Sequence, residues 1–388
     1  VGLGWNRHPF VASISNASPF DQNSLYLQSE NNVMSSLYRY GIIGTGRPHG
    51  SEGATGFGMA HAHYPAFRAT GRVDLVAIAD IRDDNASLFL KRYDSEAKHY
   101  RSYPEMLATE RLDLVSICTW PHLHAEMAIA AAEAGVRAIH CEKPIATTWG
   151  DCKRMKAAAD ANGAKLTFGH QRRHIKLFQA VRQAVRDGVI GDLVMIEAEC
   201  GDLFDWGTHW LDMMFLYNEE TPAEWVIGQI DSRREKRAFG AFMEEQGITH
   251  FKWRNGVRGV FVSGYEARIG AMHRLIGTDG TIEVLGERKM RLRGRGDAEW
   301  RTVEVPQGEV SDTFLSAADV VRQLDEPGYT SFLTVDNAIQ HTEVIFATYE
   351  SSRLRARIDL PLAYDGNALL DLLEADQIGP TRSLEQRG

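Results

Sequence analysis

The chain of 388 residues has only four cysteines, Cys118, Cys141, Cys152 and Cys200, and no CxxC spacing among them. Cys118 and Cys141 sit in apolar runs that read as buried strands, so reduced, structural thiols in a cytoplasmic setting are expected. No apolar stretch approaches the roughly 20 residues that cross a bilayer, and no membrane partner is expected. A basic excess is also missing. The net charge of -9 offers no surface for a polyanion, which argues against nucleic acid. Residues 1–36 are rich in Asn and Ser and lack the continuous apolar core of a signal peptide; they read as an N-terminal extension. The pairs His61/His63 and His122/His124 lack a neighbouring thiolate or an H-E-x-x-H spacing, so no metal site is expected.

What is present is an ordinary globular composition, with 44% hydrophobic and 24% charged residues, in a chain long enough for two cores. From residue 38 short apolar runs (YGII, VDLVAIAD, LDLVSIC, AIHCE, LTFGH) alternate with helical patterns such as WGDCKRMKAAADANG, which Asn162 and Gly163 would stop. This alternation predicts a doubly wound parallel sheet, an α/β Rossmann domain over residues 37–170. After about residue 190 strand-like runs follow one another (VMIEAEC, WVIGQID, GVRGVFVSGY, HRLIGTDGTIEVLG), with a helical stretch, TEVIFATYESSRL, near the end. They predict an α+β second domain over residues 171–388, with a mainly antiparallel open sheet.

The first strand runs into Gly44-Thr45-Gly46, the opening of a dinucleotide-binding turn, but RPHGSEGATGF intervenes before Gly58, the glycine that best precedes a helix. The second strand ends in Asp80, where an acid accepts both ribose hydroxyls of NAD. Asp80 lies 34 residues after Gly46, against a usual spacing of about 20, and removing the insertion restores the distance. Arg82 would instead welcome a 2'-phosphate, so NAD is favoured with NADP as the other candidate. The bland reading of Asp80 is a solvated strand-end carboxylate. Within the insertion, Arg47 and His49 are candidates to reach the phosphates or close over the nicotinamide, and a passive surface loop is the equal alternative.

Two further stretches carry a family resemblance. TWPHLHAEMAIAAAEAGVRAIHCEKPIA (119–146) ends a strand in Glu142-Lys143-Pro144, and DWGTHWLD (205–212) matches DxGxHxxD in full. Together they resemble the Gfo/Idh/MocA oxidoreductases, over roughly residues 38–362; Trp120 and Pro121 depart from the family's turn, which carries proline and then asparagine there. The resemblance implies cofactor contacts from Gly44, Thr45, Gly46, Gly58, Asp80, Thr119, His124, Glu142 and Lys143, and a catalytic group of Lys143, Asp205 and His209. It also implies substrate contacts from these three with Arg172 and Asp212, a sugar, cyclitol or polyol substrate, and a homo-oligomer.

Alcohol oxidation by a nicotinamide needs a base within reach of the hydroxyl proton, and histidine suits it. If residues 205–212 are helical, Asp205, His209 and Asp212 share one face, so Asp205 would orient His209 while Lys143 stabilises charge on the reacting oxygen. The plainer alternatives are Asp205 as a helix N-cap, His209 as a structural histidine, Lys143 as a surface lysine, Arg172 as a surface ion pair and Asp212 as a salt-bridge partner. Two other functions share the same features: an NAD-retaining glycosidase that oxidises its sugar transiently, and a non-catalytic NAD-binding sensor.

Overall fold

A computed structural model describes residues 37–232, 235–264 and 269–378. The extension expected over residues 1–36 lies outside the described residues. The first half contains β1 (Tyr38–Ile43), α1 (Ala60–Ala69), β2 (Val73–Ala79), α2 (Asp83–Tyr93), β3 (Lys98–Tyr100) and α3 (Tyr103–Thr109). It continues through β4 (Leu114–Ile117), α4 (Pro121–Glu133), β5 (Ala138–Cys141), α5 (Trp149–Asn162) and β6 (Lys165–Phe168). The strands lie in the order β3-β2-β1-β4-β5-β6, paired in parallel throughout. β4 (LVSI) and β5 (AIHC) are buried at every position, as strands covered by helices on both faces must be. The predicted stop of α5 is present: Gly163 takes φ 68° at its C-cap, and the Thr148 side chain accepts from the Asp151 amide at the other end.

The chain then forms a short 3-10 turn over Gln171–His174, α6 (Lys176–Arg186), β7 (Leu193–Cys200), α7 (Gly207–Tyr217), β8 (Ala223–Asp231), β9 (Lys236–Ala238) and β10 (Ala241–Met243). β11 (Gln246–Trp253), β12 (Arg258–Ser263), β13 (His273–Gly277), β14 (Gly280–Val284), β15 (Lys289–Gly294) and β16 (Arg301–Glu304) follow. Last come α8 (Asp312–Asp325), α9 (Val335–Leu354), β17 (Ile358–Asp359) and α10 (Ala368–Glu374). Nine strands make one sheet in the order β16-β15-β14-β13-β7-β12-β11-β8-β17. Its pairings are antiparallel except for β12 beside β7, so the molecule is an α/β Rossmann unit joined to an α+β unit with a mainly antiparallel sheet. No described helix is long and apolar enough to cross a membrane.

Two features position the site. β1 and β4 are neighbours although β2 and β3 lie between them in sequence, and at such a switch point the loops leaving the two strands diverge and open a crevice. Residues near the C-terminus also return to the Rossmann unit, where Ala317, Val320 and Val321 of α8 join Tyr40, Ile42 and Phe67 in one apolar cluster.

Candidate active site

The loop after β1 and the loop after β4 face each other. Gly44 and Gly46 have φ 84° and 55°, and a Cβ on Gly44 would lie 2.7 Å from Thr119 Cγ2, so glycine at 44 is required by both backbone and packing. Asp80 does not point freely outward. Its Oδ2 accepts from the Thr45 and Gly46 amides at 2.9 and 3.1 Å and from Thr45 Oγ1 at 2.7 Å, and its Oδ1 accepts from the Arg82 amide at 2.9 Å. The acid is thereby fixed against the glycine turn. The Arg82 guanidinium turns to Asp84, at 3.1 and 2.8 Å.

The inserted loop folds back rather than hanging free. Arg47 pairs with Asp84 at 2.6 Å and bonds Asn85 and the Glu52 carbonyl, while His49 stacks on Phe57 with ring centroids 4.6 Å apart. Gly58 has φ 61° and leaves no room for a Cβ, which would meet Arg47 O at 2.0 Å. Met59, the N-cap of α1, provides no side-chain cap, and an uncapped helix N-terminus suits a pyrophosphate. The left-handed glycines, the fixed acid and this helix end together fit a dinucleotide.

An open cleft runs from Gly46, Gly58 and Thr119 to Glu142, Lys143, Arg172, Asp205 and His209. Lys143 and Asp205, 62 residues apart, meet in it: Lys143 Nζ donates to Asp205 Oδ1 at 2.6 Å and to the Asp205 carbonyl at 3.3 Å. α7 starts only at Gly207, with Trp206 as its N-cap residue, so Asp205 precedes the helix instead of sharing its face. Asp205 therefore holds Lys143, where the sequence had suggested that it orients His209. Nor does it cap the helix. Asp202 Oδ1 accepts from the Asp205 and Trp206 amides at 2.7 and 3.0 Å. Behind Asp202, fully buried Glu244 accepts from Leu203 N, Ser263 Oγ and Tyr349 Oη. Burial first, and then the Asp202 carboxylate, push Glu244 up to about 7.

His209 opens on the cleft, while its Nδ1 is buried with no hydrogen-bond partner. Burial, followed by the positive charge of Lys143, lowers it well below the usual histidine range, so its resting form is the neutral imidazole. His170 packs edge-on to it with centroids 5.6 Å apart, and His341 packs edge-on to His170 at 4.7 Å.

Asp212 departs from its expected place. It is fully buried, absent from the cleft lining, and accepts three hydrogen bonds of 2.6–3.0 Å from Arg173, with His341 Nε2 at 3.4 Å. Seven residues beyond Asp205, it braces α7 from behind instead of reaching substrate, because the helix turns it toward Arg173. His124 is likewise buried away from the cleft: its Nδ1 lies 2.9 Å from the Pro144 carbonyl and its Nε2 3.1 Å from the Thr119 carbonyl, tying the two cofactor-side loops together. Arg172 does line the cleft, where it pairs with Glu287 and lies over the Trp206 and Trp210 rings at 5.5 and 5.0 Å.

In the sequence His63 was weighed only as a metal ligand. It is buried on α1, its Nε2 lies 2.8 Å from Glu142 Oε1, and its Nδ1 faces Ser116 Oγ at 3.3 Å and Cys118 Sγ at 3.5 Å. Burial opposes its charge, but the Cys118 sulfur and the Glu142 carboxylate outweigh that and push it up to about 10. Its only sequence signal was its place in HAHY, on the face of α1 that turns toward the sheet. Cys118, expected inside a strand, follows β4 and is partly exposed at the cleft.

Residues 38–170 match the family described as an oxidoreductase family with an NAD-binding Rossmann fold. The chain is 32% identical over 148 residues to inositol 2-dehydrogenase of Salmonella typhimurium, covering 37% of this chain and 44% of that protein. It is 36% identical over 135 residues to D-apiose dehydrogenase of Paraburkholderia graminis, 35% of each. The chain thus spans less than half the length of the curated relatives it matches. In fold it resembles an oxidoreductase from Agrobacterium radiobacter solved with NAD+, L-tartaric acid and magnesium, with a TM-score of 0.67, 18% identity, and coverage of 84% of this chain and 98% of that one.

Proposed function

We infer that this chain, whose residues 38–170 match the Gfo/Idh/MocA oxidoreductase family, moves a hydride between NAD and a secondary alcohol or ketone of a sugar, cyclitol or related polyol. The observation that carries this reading is the meeting of Lys143 and Asp205 at 2.6 Å in the cleft that His209 also lines. A bound nicotinamide would take up or give back the hydride. His209, a neutral imidazole facing the cleft, receives the hydroxyl proton as the carbonyl forms and returns it in the reverse direction. Lys143, anchored by Asp205, hydrogen-bonds the same oxygen and stabilises negative charge on it. Asp80 would hold the adenosine ribose and Glu142 the floor beside Lys143, with Gly44, Thr45, Gly46, Gly58 and Thr119 shaping the cofactor's path.

Residues 171–388 would supply the substrate-binding and oligomer-forming part. The outer face of the nine-stranded sheet carries Ile227 and Ile248, 47% and 51% exposed on neighbouring strands, and exposed apolar area of this kind favours pairing with a second copy. The experiment is a screen of sugars and cyclitols with NAD and NADP, following reduced-nicotinamide absorbance. Activity is expected with NAD, and His209→Ala is expected to lose about 10²- to 10⁴-fold in kcat/KM. Full activity in that variant would remove His209 as the base.

A further inference from the structure

Four aromatic side chains from four separate segments ring the cleft: Phe57 of the inserted loop, Trp120 after β4, Trp206 before α7 and Phe239 in the turn between β9 and β10. Phe57, Trp120 and Trp206 are 44%, 38% and 42% exposed. Water penalises such area, and clustered apolar exposure at a cleft marks a surface meant for a ligand.

Their support is local and specific. Phe57 meets Phe239 with centroids 5.6 Å apart and planes tilted by 58°, so the inserted loop of the Rossmann unit touches the hairpin of the second unit. A Cβ on Gly240 would come 3.0 Å from the Trp120 ring, and one on Gly56 would come 3.4 Å from Phe239. Ala238 pairs with Ala241, which leaves Phe239 and Gly240 as a two-residue turn with φ 48° and 77°. Turns with positive φ at both positions favour Asn-Gly, and a bulky aromatic at the first is sterically disfavoured. The Phe239 ring is thus kept against backbone strain, a pattern that collects at ligand sites.

The cleft is therefore polar at its floor, with Lys143, Asp205 and His209, and aromatic at its collar. A free cyclitol or monosaccharide engages the floor through its hydroxyls and leaves the collar wet. Building on the proposed polyol oxidoreduction, we propose that the substrate is a glycoside: the reacting ring rests on the floor, and a second, glycosidically linked ring stacks its flat face on Trp120 and Phe239. An aryl aglycone and a second sugar share this chemistry, since each presents a flat, weakly polar face to an aromatic ring.

The test titrates the NADH-loaded protein with methyl β-glucoside, phenyl β-glucoside and cellobiose by calorimetry, and measures kcat/KM for the same three compounds. Either two-ring compound is expected to bind at least 10-fold tighter than the methyl glucoside. Phe239→Asn and Trp120→Ala are expected to erase that preference, leaving methyl glucoside and NADH affinities within about 3-fold of the parent. Phenyl selectivity alone identifies an aryl aglycone, and cellobiose selectivity a second sugar. Because Asn suits the turn, Phe239→Asn should also raise Tm, which separates loss of the ring from loss of the fold. Selective binding without turnover upholds the subsite and overturns the redox reading. Equal binding of all three, no binding of any, or variants that weaken NADH instead overturns the subsite.

Discussion

Asp205 is a carboxylate whose position matters through the lysine it holds. With Lys143 Nζ 2.6 Å away, Asp205→Asn keeps the shape but removes the charge-assisted bond, about twice as strong as a neutral one. The expected result is a fall of about 10- to 100-fold in kcat with little change in folding stability, read from steady-state kinetics beside a urea melt. Asp212 behaves oppositely. Removing it leaves Arg173 buried with Glu220 as its remaining carboxylate, so Asp212→Ala should cost about 3–5 kcal/mol in urea unfolding. By spacing alone the sequence motif placed both aspartates on one face with His209. What separated them was the start of α7 at Gly207, set by Asp202, whose partners are backbone amides that no side-chain pattern displays. The Lys143–Asp205 encounter was legible only as a family expectation, because it joins loops distant in sequence.

At the scale of elements, the glycine turn was readable because two glycines at the end of an apolar run have few other uses, and both adopt positive φ. The insertion after it was not readable in detail. Its fold depends on Arg47 reaching Asp84 on α2 and on Phe57 reaching Phe239 across the cleft, contacts without a local signature. Five strands of the Rossmann half, β1, β2, β4, β5 and β6, announced themselves as apolar runs, whereas β3, β9, β10 and β17 are three residues or fewer, too short for any periodicity. The β9–β10 turn offers a direct check of its strain. Relieving the left-handed Phe239 by Phe239→Asn should stabilise the protein by about 1 kcal/mol, measured by chemical denaturation.

At the scale of the whole molecule, nine histidines among the described residues are held below their usual pKa, with burial the largest cause in each, and seven of them (His124, His140, His170, His174, His209, His273 and His341) are buried. Unfolding restores each to about 6.5. Their folded forms stay neutral where the unfolded chain binds protons, so the stability they permit is present above about pH 6.5 and is lost as pH falls toward the folded values. His63, raised to about 10, works the other way: its contribution is complete below about pH 6.5 and fades as pH rises through about 10. Urea melts should therefore show a loss of several kcal/mol between pH 6.5 and 5.5, at about 1 kcal/mol per buried neutral histidine. A flat profile there would mean that these histidines are protonated in the folded protein. The two-unit architecture was legible from the change between alternating and consecutive strands near residue 190, while the return of α8 onto the cluster around Tyr40 was not, since an amphipathic helix does not declare which sheet it will cover.

The central claim is that Lys143 and His209 act on one oxygen atom in one step. A double-mutant cycle on single-turnover hydride transfer, with Lys143→Met, His209→Ala and the double variant, tests it most directly. Groups sharing one transition state are expected to give a double variant no slower than about 3-fold below the worse single variant. Multiplying losses, or either single variant retaining the parent rate, would contradict the account.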